Sequence, residues 1–142
     1  MKFVLILLLA VITTTSAFKV KIHSDAQKLA ERIAKRIESA IASKNGDLVA
    51  AQFHHDFHFH DCHHKRLSLA DSLKFLSKLP EEFKYTIEVI HAKKIGHKSI
   101  KFAVKWAFDT HVSAYDYVAT RHHGQYVLEK GERTDCHIHH LV

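Results

Sequence analysis

Histidine is the residue that sets this sequence apart. Fifteen occur among 142 residues, and most of them gather around the two cysteines. His54, His55, His58, His60, His63 and His64 flank Cys62, and His137, His139 and His140 follow Cys136. Imidazole ligates zinc, copper, nickel and haem iron, and three or four converging rings make a site. His58, His60, His64, His137 and His139 are the candidate ligands, with zinc, copper or haem as the groups they would hold. In a strand His58 and His60 share a face; if residues 54–58 are helical, His54 and His58 do instead. The spacing matches no zinc finger and contains no His-Glu-x-x-His. Phe18-Lys19-Val20 places no histidine third for an amino-terminal copper clamp. The competing reading is a set of solvated imidazoles that adds positive charge as pH falls.

What the cysteines do depends on compartment. Lys2 is followed by an unbroken apolar run from Phe3 to Ile12, then by small residues at Thr15-Ser16-Ala17. That is the three-part pattern of a secretory signal, too short to span a bilayer. Residues 1–17 are therefore expected to be removed, leaving a secreted, extracellular domain of residues 18–142. In that setting Cys62 and Cys136 are expected to pair, closing a loop of about 74 residues. The loop-entropy model assigns such a bridge about 4 kcal/mol. Zinc ligation by both thiolates is the rival, which an oxidising compartment disfavours.

Removing the leader takes away Lys2 alone among charged residues, so the formal charge of +6 becomes +5. Apart from Lys28, Arg32, Lys35 and Arg36 on the first helix, the basic residues are scattered, and no nucleic-acid partner is expected. No second hydrophobic segment or lipidation motif follows the leader, so no membrane association is expected after its removal. The sole asparagine, Asn45, precedes Gly-Asp and is no glycosylation acceptor. Nucleophile elbows, phosphate-binding glycine loops and Cys-His nucleophile patterns are lacking, so enzyme status is not expected.

The elements that must position these residues follow from periodicity. Ser24 and Gln27 read as a capping box. Ala26, Leu29, Ala30, Ile33, Ile37, Ala40 and Ile41 then form one apolar stripe, with Asn45-Gly46 as a left-handed stop. Asp47 is expected to cap a short second helix through Leu48, Val49 and Phe53. Phe57 and Phe59 alternate with His58 and His60 as in a strand. Ser68 and Asp71 cap a third helix, carrying Leu69, Leu73, Leu76 and Leu79, that Pro80 ends. After Pro80 the period becomes two. Phe83, Tyr85, Ile87 and Val89 share a face that His91 continues. Ile100, Phe102, Val104, Trp106 and Phe108 line the next strand, and a last hairpin turns at His122-His123-Gly124. The result is an α+β domain: a long N-terminal helix and two shorter helices packed on one face of an antiparallel sheet.

This order of elements resembles the nuclear-transport-factor-2-like (cystatin-like cone) superfamily, and within it the small secreted members found in nematodes. The residues that carry the likeness are the leader ending Thr-Ser-Ala17, the opening Phe18-Lys19-Val20 with Ser24-Asp25-Ala26, Phe53-x3-Phe57-x-Phe59 leading to Cys62, Leu73 to Pro80, and Cys136. His63-His64 stand where such chains tend to place a glycine. The resemblance implies that the antiparallel sheet is strongly curved and leaves a cone-shaped cavity, on a fold whose relatives include enzymes as well as non-catalytic binding and dimerisation domains. Tyr85, His91, Phe102, Trp106 and Tyr117 are the candidate lining of a pocket for a small apolar molecule, with simple core packing as the alternative. A buried acid or base there, at His91, Asp109, His111, Tyr115 or Tyr117, would suit a lyase or isomerase. The expectation is a non-enzymatic domain that binds a small molecule or a protein partner. Similar folds commonly dimerise through the exposed sheet face, and a homodimer stays open.

Overall fold

The structure, a computed structural model, describes residues 24–82 and 84–136. Helix α1 spans Asp25–Ala42. Ser24 caps it by accepting the Gln27 amide at 3.1 Å. The Gln27 side chain does not return the bond, reaching Glu31 and the Val89 carbonyl instead. Ala30, Ile33, Ala34, Ile37, Ala40 and Ile41 are the buried stripe. Two local expectations shift at its end. The left-handed residue is Lys44, at φ 57°, not Gly46. Asn45, not Asp47, caps helix α2 (Gly46–Ala50), because its extended backbone lets Oδ1 accept the Asp47 and Leu48 amides.

The chain continues through β1 (Phe53–His60), β2 (Arg66–Ser68), α3 (Leu69–Ser77), β3 (Tyr85–Lys94), β4 (Ser99–Phe108), β5 (His111–His122) and β6 (Gln125–Arg133). The capping box at α3 is complete, since Ser68 Oγ accepts the Asp71 amide and the Asp71 carboxylate accepts the Ser68 amide. His123 and Gly124 both have positive φ, which makes the β5–β6 connection a two-residue turn with the hand that suits twisted strands.

The six strands form one sheet in the order β2-β1-β6-β5-β4-β3. All neighbours are antiparallel except β1 and β6, which run parallel. The sheet is therefore mostly, not wholly, antiparallel. Its inner face carries Ile100, Phe102 and Val104 of β4, Tyr117 and Ala119 of β5, and Leu128 of β6 against the α1 stripe. At the β3 edge α1 also satisfies backbone groups that would otherwise face another chain. Glu38 accepts the Ile87 amide at 2.5 Å, and Gln27 donates to the Val89 carbonyl at 3.2 Å. Buried Gln52 has both ends occupied, its amide nitrogen by the Leu48 carbonyl and its oxygen by Arg36. No helix among the described residues is long and apolar enough to cross a membrane.

Parallel pairing of β1 and β6 has a covalent consequence. Both strands leave the sheet at the same end, so the residues that follow them are neighbours. Cys62 and Cys136 meet there, with Cα atoms 5.2 Å apart, and form the expected disulfide.

Candidate functional site

Where α3 stands off the sheet, the inner face opens into an apolar cavity of about 230 Å³. Phe53, Phe57 and Phe59 of β1 form one wall, and Phe75, Leu76 and Leu79 of the α3 region form the cover. Tyr85, Trp106, Phe108, Tyr115 and Tyr117 form the other wall. Strand alternation sends the side chains of β3, β4 and β5 inward, and the sheet's curvature brings them and the β1 phenylalanines round one space. The rings touch in series: Phe53 lies edge-on to Phe57 at 4.8 Å, and Trp106 edge-on to Tyr115 at 6.1 Å. Tyr115 stacks with Tyr117, also at 6.1 Å.

Polar groups are few and mostly donors. Trp106 Nε1 is buried and has no hydrogen-bond partner among the described residues. Arg133 also lines the cavity, donating to Asp135 at 2.7 Å and to Ser113 at 3.4 Å. The Asp135 hydrogen bond raises the Arg133 pKa above its ordinary value. Burial pushes the Tyr117 hydroxyl far above the phenol range, with Tyr115 alongside adding to the shift. Burial also raises Tyr85, whose hydroxyl donates to the Pro80 carbonyl at 3.3 Å. For Asp61, desolvation works against ionisation, but the Lys65 and His63 amides, with the positive charge of those side chains, together outweigh it and hold the carboxyl low.

Three of the five residues expected in the pocket, Tyr85, Trp106 and Tyr117, line it together. Phe102 lies deeper, 1 % exposed within the core. His91 is turned away. The β3–β4 register slips between Val89 and His91, so Ile90 is an extra residue and the inward phase passes to Ala92, opposite Phe102. His91 therefore faces outward and is exposed, in contrast to its expected place on the inner face. The phenylalanines of β1, the α3 cover and Arg133 were not anticipated as lining. The Phe-x-Phe alternation in β1 was the signal that could have found two of them.

Among the expected metal ligands, His58 and His60 do share the outer face of β1, with ring centres 5.4 Å apart. His64 is exposed on the turn after β1, at φ 57°. Those three do not form a converging group among the described residues. The donors that do converge are His54, His55 and Asp56. His137 and His139 lie outside the described residues, as do the proposed leader and Phe83.

A long helix held in a curved six-stranded sheet, with an apolar opening under a short helix, is the architecture of nuclear-transport-factor-2-like proteins. Residues 27–138 match the family model of the NTF2-like domain, and the chain belongs to that family. Similar solved structures include an NTF2-like protein from Cytophaga hutchinsonii, 13% identical, covering 78% of this chain and 98% of that one, with a TM-score of 0.61. An NTF-2 like protein of unknown function from Shewanella oneidensis is 11% identical over 75% of this chain and 96% of that one, with a TM-score of 0.63. The association domain of C. elegans CaMKII is 12% identical over 76% of this chain and 94% of that one, also at 0.63. At these identities the likeness shows the fold. No curated protein matches the chain.

Proposed function

We propose that this NTF2-like domain is an exported, non-enzymatic carrier that holds one small apolar molecule bearing a hydrogen-bond acceptor. The observation that carries the reading is the aromatic cavity itself, with Trp106 in its wall and the Trp106 Nε1 buried and without a partner among the described residues. Leaving such a donor unsatisfied costs about 1–3 kcal/mol, which an acceptor oxygen on a ligand would recover once the indole turns its N–H to meet it. At about 230 Å³ the cavity is smaller than the roughly 300–1000 Å³ that drug-sized ligands occupy. A single ring or a short acyl chain is the matching size.

Binding is favoured over catalysis by the ionisable groups at the cavity. Asp61 is held low, whereas Tyr85, Tyr117 and Arg133 are raised, so each of these moves away from the neutral range where a general acid or base works. Export is supported by the leader pattern and by the disulfide, which suits an oxidising compartment, and kinship with the small secreted nematode members by Phe53-x3-Phe57-x-Phe59 leading to Cys62 and by Cys136.

The chain has one tryptophan, and it stands in the cavity wall, so its emission reports occupancy. Titration of the secreted protein with octanoic acid, octanol and benzoic acid should give a saturable change in fluorescence with at least one of them. Emission that stays constant with all three, together with no retained small molecule in native mass spectra, would refute the carrier reading. Cleavage before Phe18 is checked by the mass of the protein recovered from the medium.

A further inference from the structure

The geometry points to a divalent transition-metal site, of the zinc or copper(II) class, built by His54, His55, Asp56 and His122 on the side of the sheet where β1 bulges. It is separate from the apolar cavity and shares none of that cavity's lining.

In a regular strand, consecutive side chains point to opposite faces, and three residues in a row cannot converge. β1 is not regular here. Its pairing with β6 runs from Phe53 opposite Leu128 directly to His58 opposite Lys130, so five positions of β1 cover two of β6. The surplus residues are pushed out of register, and this brings His54, His55 and Asp56 to one side. One donor atom from each lies within 4.8 Å of the others. Donors on a tetrahedral ion are roughly 3.4 Å apart, from bond lengths of about 2.0–2.1 Å. His55 and Asp56 are exposed and already 3.1 Å apart at Nε2 and Oδ2, so only small rotations close the set.

A fourth donor comes from across the sheet. The His122 ring, at the end of β5, lies 4.5 Å from the His54 ring. Its Nε2 is buried and has no hydrogen-bond partner among the described residues. Buried polar atoms are seldom left so, and an unmet ring nitrogen next to the His54 ring stands at the edge of the converging group, where it can complete a ligand set. His54 is prepared as well. Its Nδ1 accepts the Asp56 amide at 3.2 Å, so that nitrogen carries no proton and its lone pair is engaged only by this amide. A metal taking the lone pair displaces one exposed amide bond, which water replaces.

Three imidazoles and one carboxylate suit zinc or copper(II) and disfavour calcium and magnesium, which select all-oxygen shells. The carboxylate also offsets part of the ion's charge.

The test is competition of zinc, and separately copper(II), between a chromophoric chelator and the secreted full-length protein. One equivalent should bind more tightly than to the urea-unfolded chain. His55→Ala and Asp56→Asn change exposed side chains and should each weaken binding at least tenfold without lowering the apo melting temperature. A His58→Ala/His60→Ala variant should bind as the parent does. On adding zinc, the ring resonances of His54, His55 and His122 should shift before those of other histidines. Binding no tighter than that of the unfolded chain overturns the site. So does affinity that survives Asp56→Asn and His55→Ala but falls in the His58/His60 variant.

Discussion

Gly131 lies directly against the Tyr117 ring. It is register partner to Tyr117 on one side and to Phe59 on the other, and a Cβ at residue 131 would stand 2.6 Å from Tyr117 Cε1 and 3.0 Å from Phe59 Cδ2. The missing side chain is what lets both rings lean into the cavity from neighbouring strands. Gly131→Ala should therefore destabilise the fold by about 1–3 kcal/mol, the usual cost of overfilling a packed site. It should also weaken ligand binding, because the displaced Tyr117 ring can move only into the cavity or the core. Urea unfolding and fluorescence titration read the two effects. A variant as stable as the parent would mean that the rings are not in contact with this position.

Trp106 separates packing from hydrogen bonding. Trp106→Phe keeps an aromatic ring in the wall and removes the buried indole donor. Stability without ligand should change by less than about 1 kcal/mol, since losing an unmet donor offsets losing some contact area. Affinity for octanoic acid, measured by calorimetry because the fluorophore is gone, should fall about five- to tenfold, the worth of one hydrogen bond. Equal affinity in parent and variant would take Trp106 Nε1 out of the site.

Much of this was legible in residue pattern, and the exceptions share a cause. The α1 stripe is visible because burial of Ala30, Ile33 and Ile37 needs apolar residues at helical spacing. The β4 face from Ile100 to Phe108 is visible because one side of it is core and the other is not. Slips of register leave no such trace. Ile90 is apolar like Ile87 and Val89, so the extra residue in β3 is invisible, and His91 seems to point inward when it does not. The surplus residues of β1 are equally silent: the visible alternation begins at Phe57, and nothing in the pattern of His54, His55 and Asp56 separates the end of a helix from a bulged strand. Parallel pairing of β1 with β6 is likewise a property of partners far apart in the chain, and alternation within either strand does not encode it.

The same parallel pair sets the expected effect of reduction. The Cys62–Cys136 bridge spans a separation of 74 residues, and the loop-entropy model gives about 4 kcal/mol for closing it. Cys62→Ser/Cys136→Ser should lower the urea midpoint by about 2 M, taking a slope of about 2 kcal/mol/M. The parent in dithiothreitol should behave the same way. Identical midpoints with and without reductant would show that the two sulfurs are not joined in the folded protein.

Acid should unfold the protein through carboxylates that the fold holds ionised. Asp71 lies below its ordinary 3.8 because the Ser68 amide and hydroxyl donate to it. At Asp135, burial opposes ionisation, but the Arg133 and Ala114 hydrogen bonds outweigh it, so the net shift is again downward. Asp61 follows the same pattern through the Lys65 and His63 amides. With folded-state values below unfolded ones, the stabilisation is complete well above the unfolded values and drains away as pH falls through the lower folded values. The carboxylate contribution to the urea midpoint should thus be nearly complete at pH 5, decline through pH 4, and fall steeply at lower pH. Asp71→Asn should lower the midpoint at pH 5 by loosening the start of α3, and the two curves should converge as pH falls below the lowered folded value of Asp71, where the parent's carboxylate is also uncharged. An offset that stays constant across this range would assign the loss to side-chain packing and remove Asp71 from the acid response.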